Sequence, residues 1–182
     1  MKLIKNVNII TPTEIIKNGS ILFDKKIEKI FKTNDFVGSD YEVIDGNGGY
    51  LSPGFVDIHV HGAMGKDTMD ASVEALNTIS ESLIKSGVTS FLPTTMTMER
   101  KKIRNALKSI KETIDRGLKG AQIVGTNVEG PFLNTEKKGA QDPKNIIELD
   151  LKLLEGYESI IKLCTIAPEK KETKQFIKEM KK

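Results

Sequence analysis

The sequence is poor in cysteine and contains no long apolar run. Cys164 is the only cysteine among the 182 residues, so the chain cannot form an internal disulfide. No stretch reaches the roughly 18 consecutive apolar residues of a membrane-spanning helix. The first ten residues alternate polar and apolar side chains, whereas a signal peptide has a continuous apolar centre. These absences predict a cytoplasmic protein that has no membrane partner.

An excess of charge of either sign is also missing. The chain has 28 basic and 25 acidic residues, which gives a formal net charge of +3. The lysine-rich end, residues 170–182, also carries glutamates and therefore has the composition of a solvated helix face. We expect no nucleic-acid partner.

Residues 2–51 have the pattern of strands alone. Short runs of Ile, Val and Leu are separated by turn-forming residues such as Pro12 and the pair Asn18-Gly19. The predicted strands are residues 3–10, 20–23, 27–31 and 42–44. This pattern predicts a small antiparallel β unit, a partial β-sandwich-like domain, over residues 1–51.

The pattern changes at Ser52, where strands begin to alternate with helices. The predicted strands are residues 55–60, 89–92, 122–129 and 160–167. The predicted helices are residues 72–86, 99–116, 146–154 and 172–181. Four strand–helix units in a row predict that residues 52–182 form an α/β domain, with a parallel sheet and right-handed crossovers.

The only two histidines, His59 and His61, lie at the end of the first strand of this domain. Residues i and i+2 of a strand project to the same side, so the two imidazoles are expected to converge. Imidazole nitrogen is a good ligand for zinc and for iron. The alternative is a pair of histidines that only form hydrogen bonds within the protein.

Glu129 ends the third predicted strand and is followed by the turn Gly130-Pro131. By itself it could be a metal ligand, a general base or a solvated loop charge. Its position relative to His59 and His61 favours the ligand role, because zinc accepts two histidines and a carboxylate and keeps one position for water.

The polar loop beyond Glu129 contains two further candidate residues. Gly139 allows the backbone to approach a ligand closely. Gln141 can donate and accept hydrogen bonds, which suits sugar hydroxyls. The alternative is an ordinary solvent-facing loop.

Several motifs together resemble one known family. Residues 53–62 are similar to the first barrel strand of the amidohydrolase superfamily. More specific segments are residues 65–70, 93–95, 128–132, 138–141 and 165–169. In this order and spacing, the segments resemble the N-acetylglucosamine-6-phosphate deacetylases, and the resemblance covers essentially the whole chain.

The resemblance implies a fold and an activity. The fold is α/β, with about four strand–helix units as the N-terminal part of a (β/α)8 TIM-type barrel. The activity is metal-dependent hydrolysis of the acetamide of N-acetyl-D-glucosamine 6-phosphate to D-glucosamine 6-phosphate and acetate. The full-length form is expected to be a homodimer.

The resemblance also implies a site. Glu129 binds a divalent metal ion, zinc or iron, and Ala140 and Gln141 contact the sugar. Some members of the family have lost the histidine pair and hold one metal. Because His59 and His61 are present here, one or two metals per site are expected.

We expect the chain to be incomplete. A complete barrel takes about 250 residues, and the family's remaining metal-binding histidines, phosphate-binding residues and catalytic aspartate would lie beyond Lys182. The chain would then contain no catalytic residue and be inactive alone. It would also be poorly stable as a monomer, because an open sheet edge and uncovered apolar stripes favour association.

Two other functions stay open. One is an amidohydrolase that acts on a cyclic amide, although such enzymes often bridge two metals with a modified lysine and no lysine here ends a strand suitably. The other is a non-catalytic fragment that acts only by associating with a partner.

Overall fold

The computed structural model describes residues 1–32 and 40–181. The chain divides into two compact units, Met1–Pro53 and Gly54–Lys182. Within the described residues, no helix has both the length and the apolar character needed to cross a membrane.

The first unit is a five-stranded sheet built around one central strand. Its core contains Val7, Ile9, Ile16 and Ile21, which come from its first two strands. The central strand β1 has β2 and then β3 on one side, and β4 and β5 on the other. The strands are β1 (Lys2–Ile10), β2 (Ile15–Phe23), β3 (Ile27–Phe31), β4 (Glu42–Asp45) and β5 (Tyr50–Leu51).

The prediction of an antiparallel unit was wrong for half of this sheet. Pairing is antiparallel between β1 and β2 and between β2 and β3, but β4 and β5 both run parallel to β1. All four residues of β4 are exposed, and the residue types that favour a strand are the same for either direction of pairing. The described residues of this unit form a single sheet, so the sandwich-like arrangement stays a prediction.

The second unit is mixed α/β. Its parallel strands form two groups, β6-β9-β10 and β11-β12, and a parallel bridge between Thr94 and Asn127 joins them. The strands are β6 (Phe55–Val60), β7 (Gly62–Ala63), β8 (Lys66–Asp67), β9 (Val88–Pro93), β10 (Gln122–Ile123), β11 (Thr126–Glu129) and β12 (Ile161–Thr165). The helices are α1 (Val73–Ile84), α2 (Arg100–Arg116) and α3 (Thr173–Met180).

The sequence provides a cap for α1 and an apolar face for α2. The hydroxyl of Ser72 accepts a hydrogen bond from the backbone N–H of Ala75 and so begins α1. One face of α2 is fully buried through Ile103, Leu107 and Ile110, which recur at helical spacing. These faces cover the parallel strands and hold their ends in place.

The prediction of a helix over residues 146–154 was wrong. Residues 146–154 contain only one 3₁₀ turn, Leu151–Leu153, and another, Pro143–Asn145, lies just before them. The carboxylate of Asp150 accepts a hydrogen bond from the backbone N–H of Lys152, and this local bond competes with a continuous helix. A hydrogen bond from Arg100 of α2 lowers the pKa of Asp150 and keeps its carboxylate ionised. The apolar residues of the segment pack without forming a helix, since Leu153 and Leu154 are both buried.

The strand predicted over residues 122–129 is divided into β10 and β11. Gly125 lies between them with a φ of +151°, which favours glycine. A Cβ atom at this position would lie 2.3 Å from Cγ of Lys162. The break lets β10 pair with β9 while β11 pairs with β12.

Cys164 lies on β12 and packs against the apolar cluster that includes Leu107, Val128 and Phe132. Burial raises the pKa of its thiol to about 12. The thiol therefore stays protonated near neutral pH and is not an activated nucleophile.

The buried face of α2 leads to a stability prediction. Leu107→Ala should lower the free energy of unfolding by about 2–5 kcal/mol, because it leaves a cavity in a fully buried cluster. Lys101→Ala, on the exposed face of the same helix, should change it by less than about 0.5 kcal/mol. Urea unfolding followed by circular dichroism measures both. Equal effects of the two substitutions would contradict the packing described for α2.

Candidate metal centre

Parallel pairing brings the ends of three strand segments together. Val60 of β6 pairs with Pro93 of β9, and the backbone N–H of Thr94 donates to the carbonyl of Val60 at 2.8 Å. One residue later, the N–H of Thr95 donates to the carbonyl of Asn127 on β11 at 3.0 Å. The carboxyl ends of β6 and β11 are therefore linked through the residues that follow β9. This is the edge at which α/β proteins commonly carry their functional groups.

His59, His61 and Glu129 meet at this edge. Nε2 of His59 lies 2.6 Å from Oε2 of Glu129. Nε2 of His61 lies 3.4 Å from the same oxygen and 3.2 Å from Nε2 of His59. The potential ligand atoms of the three residues all lie within 4.8 Å of one another. Such a group can hold a metal ion, since two imidazoles and a carboxylate are a common donor set for zinc and iron.

Thr94 fixes the orientation of His61. Nδ1 of His61 is 3.2 Å from the backbone carbonyl oxygen of Thr94. A carbonyl can only accept, so Nδ1 carries the proton and donates, and Nε2 keeps a free lone pair. The fully buried Thr94 is itself held by its hydroxyl, which accepts from the N–H of Val60 and donates to the carbonyl of Leu92.

The two oxygens of Glu129 have different surroundings. Oε1 accepts a hydrogen bond from Nε2 of Gln141 at 2.9 Å. Oε2 is buried, and no described residue donates a hydrogen bond to it, even though the nitrogen of His59 is close. A buried carboxylate oxygen without a donor is costly, and a cation between it and the imidazole nitrogens would remove this cost. The donor set and the orphaned oxygen therefore both fit a metal ion.

The cluster is partly exposed to solvent, and further hydrogen bonds surround it. The side chain of His59 is 55% exposed, compared with 19% for that of Glu129, so the cluster is open to solvent on the histidine side. The backbone N–H of His59 donates a hydrogen bond to the carboxylate of Asp57 at 3.0 Å. The side-chain amide of Asn127 donates to the carbonyl of Ile58 at 3.3 Å and ties β11 to β6.

Ala140 and Gln141 lie in the loop that follows β11, as the sequence indicated. Ala140 is exposed, whereas Gln141 is buried and directed towards Glu129. The sequence motifs included Thr94 only as part of residues 93–95 and assigned it no role in orienting His61. The position of Thr94 directly after a strand was the one feature of the sequence that indicated a place in the site.

The chain is therefore an α/β protein with a candidate metal-binding site. The model of the Amidohydrolase family matches residues 50–181. The chain therefore belongs to the amidohydrolase family.

Two relatives with similar sequences are deacetylases of amino-sugar phosphates. The N-acetylglucosamine-6-phosphate deacetylase of Bacillus subtilis (strain 168) is 36% identical to this chain over 187 residues, which cover 98% of the chain and 47% of the relative. The N-acetylgalactosamine-6-phosphate deacetylase of Escherichia coli O157:H7 is 36% identical over 135 residues, which cover 72% of the chain and 36% of the relative.

A solved structure agrees with these relatives. The crystal structure of N-acetylglucosamine-6-phosphate deacetylase from Pasteurella multocida superimposes with a TM-score of 0.88 at 29% identity, covering 98% of this chain and 48% of that one. The resemblance predicted from the motifs is confirmed. The chain spans about half the length of the relatives it matches.

The contact between His61 and Thr94 leads to a spectroscopic prediction. In the metal-free chain at about pH 8, His61 should be the tautomer that is protonated at Nδ1, because its Nδ1 faces a carbonyl oxygen. Long-range ¹H–¹⁵N correlation spectra distinguish the two ring nitrogens. An Nε2-protonated His61 would contradict the orientation described here and would leave no lone pair at Nε2 for a metal ion.

Proposed function

We propose that this chain contributes the metal centre of a deacetylase that acts on N-acetyl-D-glucosamine 6-phosphate. The products are D-glucosamine 6-phosphate and acetate. The observation that carries the proposal is the convergence of Nε2 of His59, Nε2 of His61 and Oε2 of Glu129 at one sheet edge. The similar proteins from Bacillus subtilis and Pasteurella multocida are N-acetylglucosamine-6-phosphate deacetylases, which supports the choice of an amino-sugar phosphate as substrate.

His59, His61 and Glu129 would hold a divalent metal ion, zinc or iron, with one or two metals per site. A metal ion of this kind is a Lewis acid that polarises a carbonyl and lowers the pKa of water to about 7. The buried Oε2 of Glu129 supports this assignment, because a cation placed among the three ligand atoms would satisfy it.

Glu129 acts as a ligand and not as the general base in this proposal. Its Oε1 is engaged by Gln141, and its Oε2 faces the two imidazoles. With a metal ion bound at Oε2, neither oxygen would be free to take a proton from water that attacks a substrate. The proton acceptor is instead the aspartate that the family resemblance implies, and it does not belong to this cluster.

The remaining groups of the site admit and orient the substrate. His59 is the most exposed member of the cluster, so the acetamide would approach from its side. The exposed Ala140 and its neighbour Gln141 would lie beside the sugar. The homodimer, the cytoplasmic location and the inactivity of the 182-residue chain by itself all stay predictions.

The identity of the sugar needs a separate test, because the similar protein from Escherichia coli O157:H7 is an N-acetylgalactosamine-6-phosphate deacetylase. A polypeptide that extends this chain to the relatives' length should be assayed with both sugar phosphates, and acetate release should be measured. Faster release from the glucosamine derivative supports the proposal. Faster release from the galactosamine derivative would move it to that substrate, and release from neither would remove it.

Substitution of Glu129 tests the metal centre in the same extended polypeptide. Glu129→Gln should remove most of the bound metal and abolish acetate release, because the amide keeps the shape but loses the charge that holds a dication. Metal content after dialysis, measured by mass spectrometry, should fall together with activity. The control is Glu136→Gln, the same change at an exposed residue of the following loop. If Glu129→Gln kept stoichiometric metal while losing activity, Glu129 would be a base instead of a ligand.

A further inference from the structure

We infer that Gln141 is a positioning residue of the metal centre. Its side-chain amide holds the carboxylate of Glu129 so that Oε2 alone faces His59 and His61. This inference rests on the proposed function, because it assumes that Glu129 is a metal ligand. It goes further by assigning the geometry of that ligand to a residue of the neighbouring loop.

Gln141 is held at both ends of its amide group. Its Nε2 donates to Oε1 of Glu129 at 2.9 Å, and its Oε1 accepts from the backbone N–H of Thr97 at 2.8 Å. The residue is only 8% exposed. Both contacts therefore form in a poorly solvated environment, where a hydrogen bond to a charged group is strong.

The backbone contact determines which way the amide is turned. The N–H of Thr97 can only donate, so the side-chain atom of Gln141 that faces it must be the oxygen. The NH₂ group then necessarily faces Glu129. A reversed amide would place two donors against each other at Thr97 and two acceptors against each other at Glu129.

This arrangement determines how Glu129 can bind a metal. A free carboxylate can rotate and present either or both of its oxygens to an ion. Because Gln141 holds Oε1 on its own side, Oε2 is the oxygen that faces the imidazoles, and it lies 2.6 Å from Nε2 of His59. The hydroxyl of Thr95 also donates to the backbone carbonyl of Glu129, at 3.3 Å, and helps to fix the residue. Outer contacts of this kind commonly raise metal affinity by about 10–100-fold.

A role limited to sugar contact predicts a different behaviour. If Gln141 only bound the substrate, its removal would leave metal affinity unchanged while no sugar is present. Metal binding in the absence of substrate therefore separates the two roles. It also needs no catalytic activity from the chain.

The experiment titrates Co²⁺ into the unsubstituted chain and into three variants, and follows the visible absorption bands of the ion. The variants are Gln141→Leu, Glu129→Gln and, as a matched control, Gln175→Leu, which makes the same change at an exposed residue of α3. Gln141→Leu should bind about 10–100-fold more weakly than the unsubstituted chain and show altered bands. Gln175→Leu should be indistinguishable from the unsubstituted chain.

The outcomes separate this inference from the proposed function. If Glu129→Gln loses Co²⁺ but Gln141→Leu binds it with unchanged affinity and spectrum, the positioning role is wrong and the metal centre stands. If Glu129→Gln binds Co²⁺ as tightly as the unsubstituted chain, the proposed metal centre is wrong and the positioning role falls with it.

A second measurement needs no variant and covers the case in which Gln141→Leu does not fold. In ¹⁵N-labelled unsubstituted chain, the side-chain amide of Gln141 should exchange slowly with water, because it is buried and bonded to a carboxylate. Its resonances should shift when Zn²⁺ is added. Fast exchange, or resonances that Zn²⁺ leaves unchanged, would overturn the inference.

Discussion

Parallel strand pairing is the constraint on which the candidate site depends. The pairing of β6 with β9, continued by the bridge from Thr94 to Asn127, places the carboxyl ends of β6 and β11 at the same edge. His59 and Glu129 are 70 positions apart in the sequence, yet two of their side-chain atoms lie 2.6 Å apart. The helices α1 and α2 maintain this arrangement because their buried faces cover the strands.

Hydrogen bonds from neighbouring residues fix the orientation of two of the three candidate ligands. Thr94 determines which nitrogen of His61 is free, and Gln141 engages one oxygen of Glu129. The atoms left over, two imidazole nitrogens and a buried carboxylate oxygen, point at one another without satisfying Oε2 by a hydrogen bond.

Much of this could be predicted from the sequence. His59 and His61 are two residues apart on a strand, and Glu129 ends another strand, so their convergence followed from the geometry of strands and of parallel sheets. The direction of β4 could not be predicted, because the residue types that favour a strand are the same for either direction of pairing, and β5 was not among the predicted strands. The helix predicted over residues 146–154 failed because Asp150 bonds locally and with Arg100, a contact 50 positions away that periodicity does not reveal. The contact between Gln141 and Glu129 was likewise missed, since sequence indicates that a loop residue is polar but not where its amide turns.

The location of a bound ion tests the central claim most directly. Crystals of the chain grown or soaked with Zn²⁺ should be measured on both sides of the zinc absorption edge, so that anomalous scattering locates the ion without reference to the protein. We expect a peak about 2.0–2.2 Å from Nε2 of His59, Nε2 of His61 and Oε2 of Glu129, and no peak beside Oε1. A zinc ion bound elsewhere while this cluster stays empty would contradict the account.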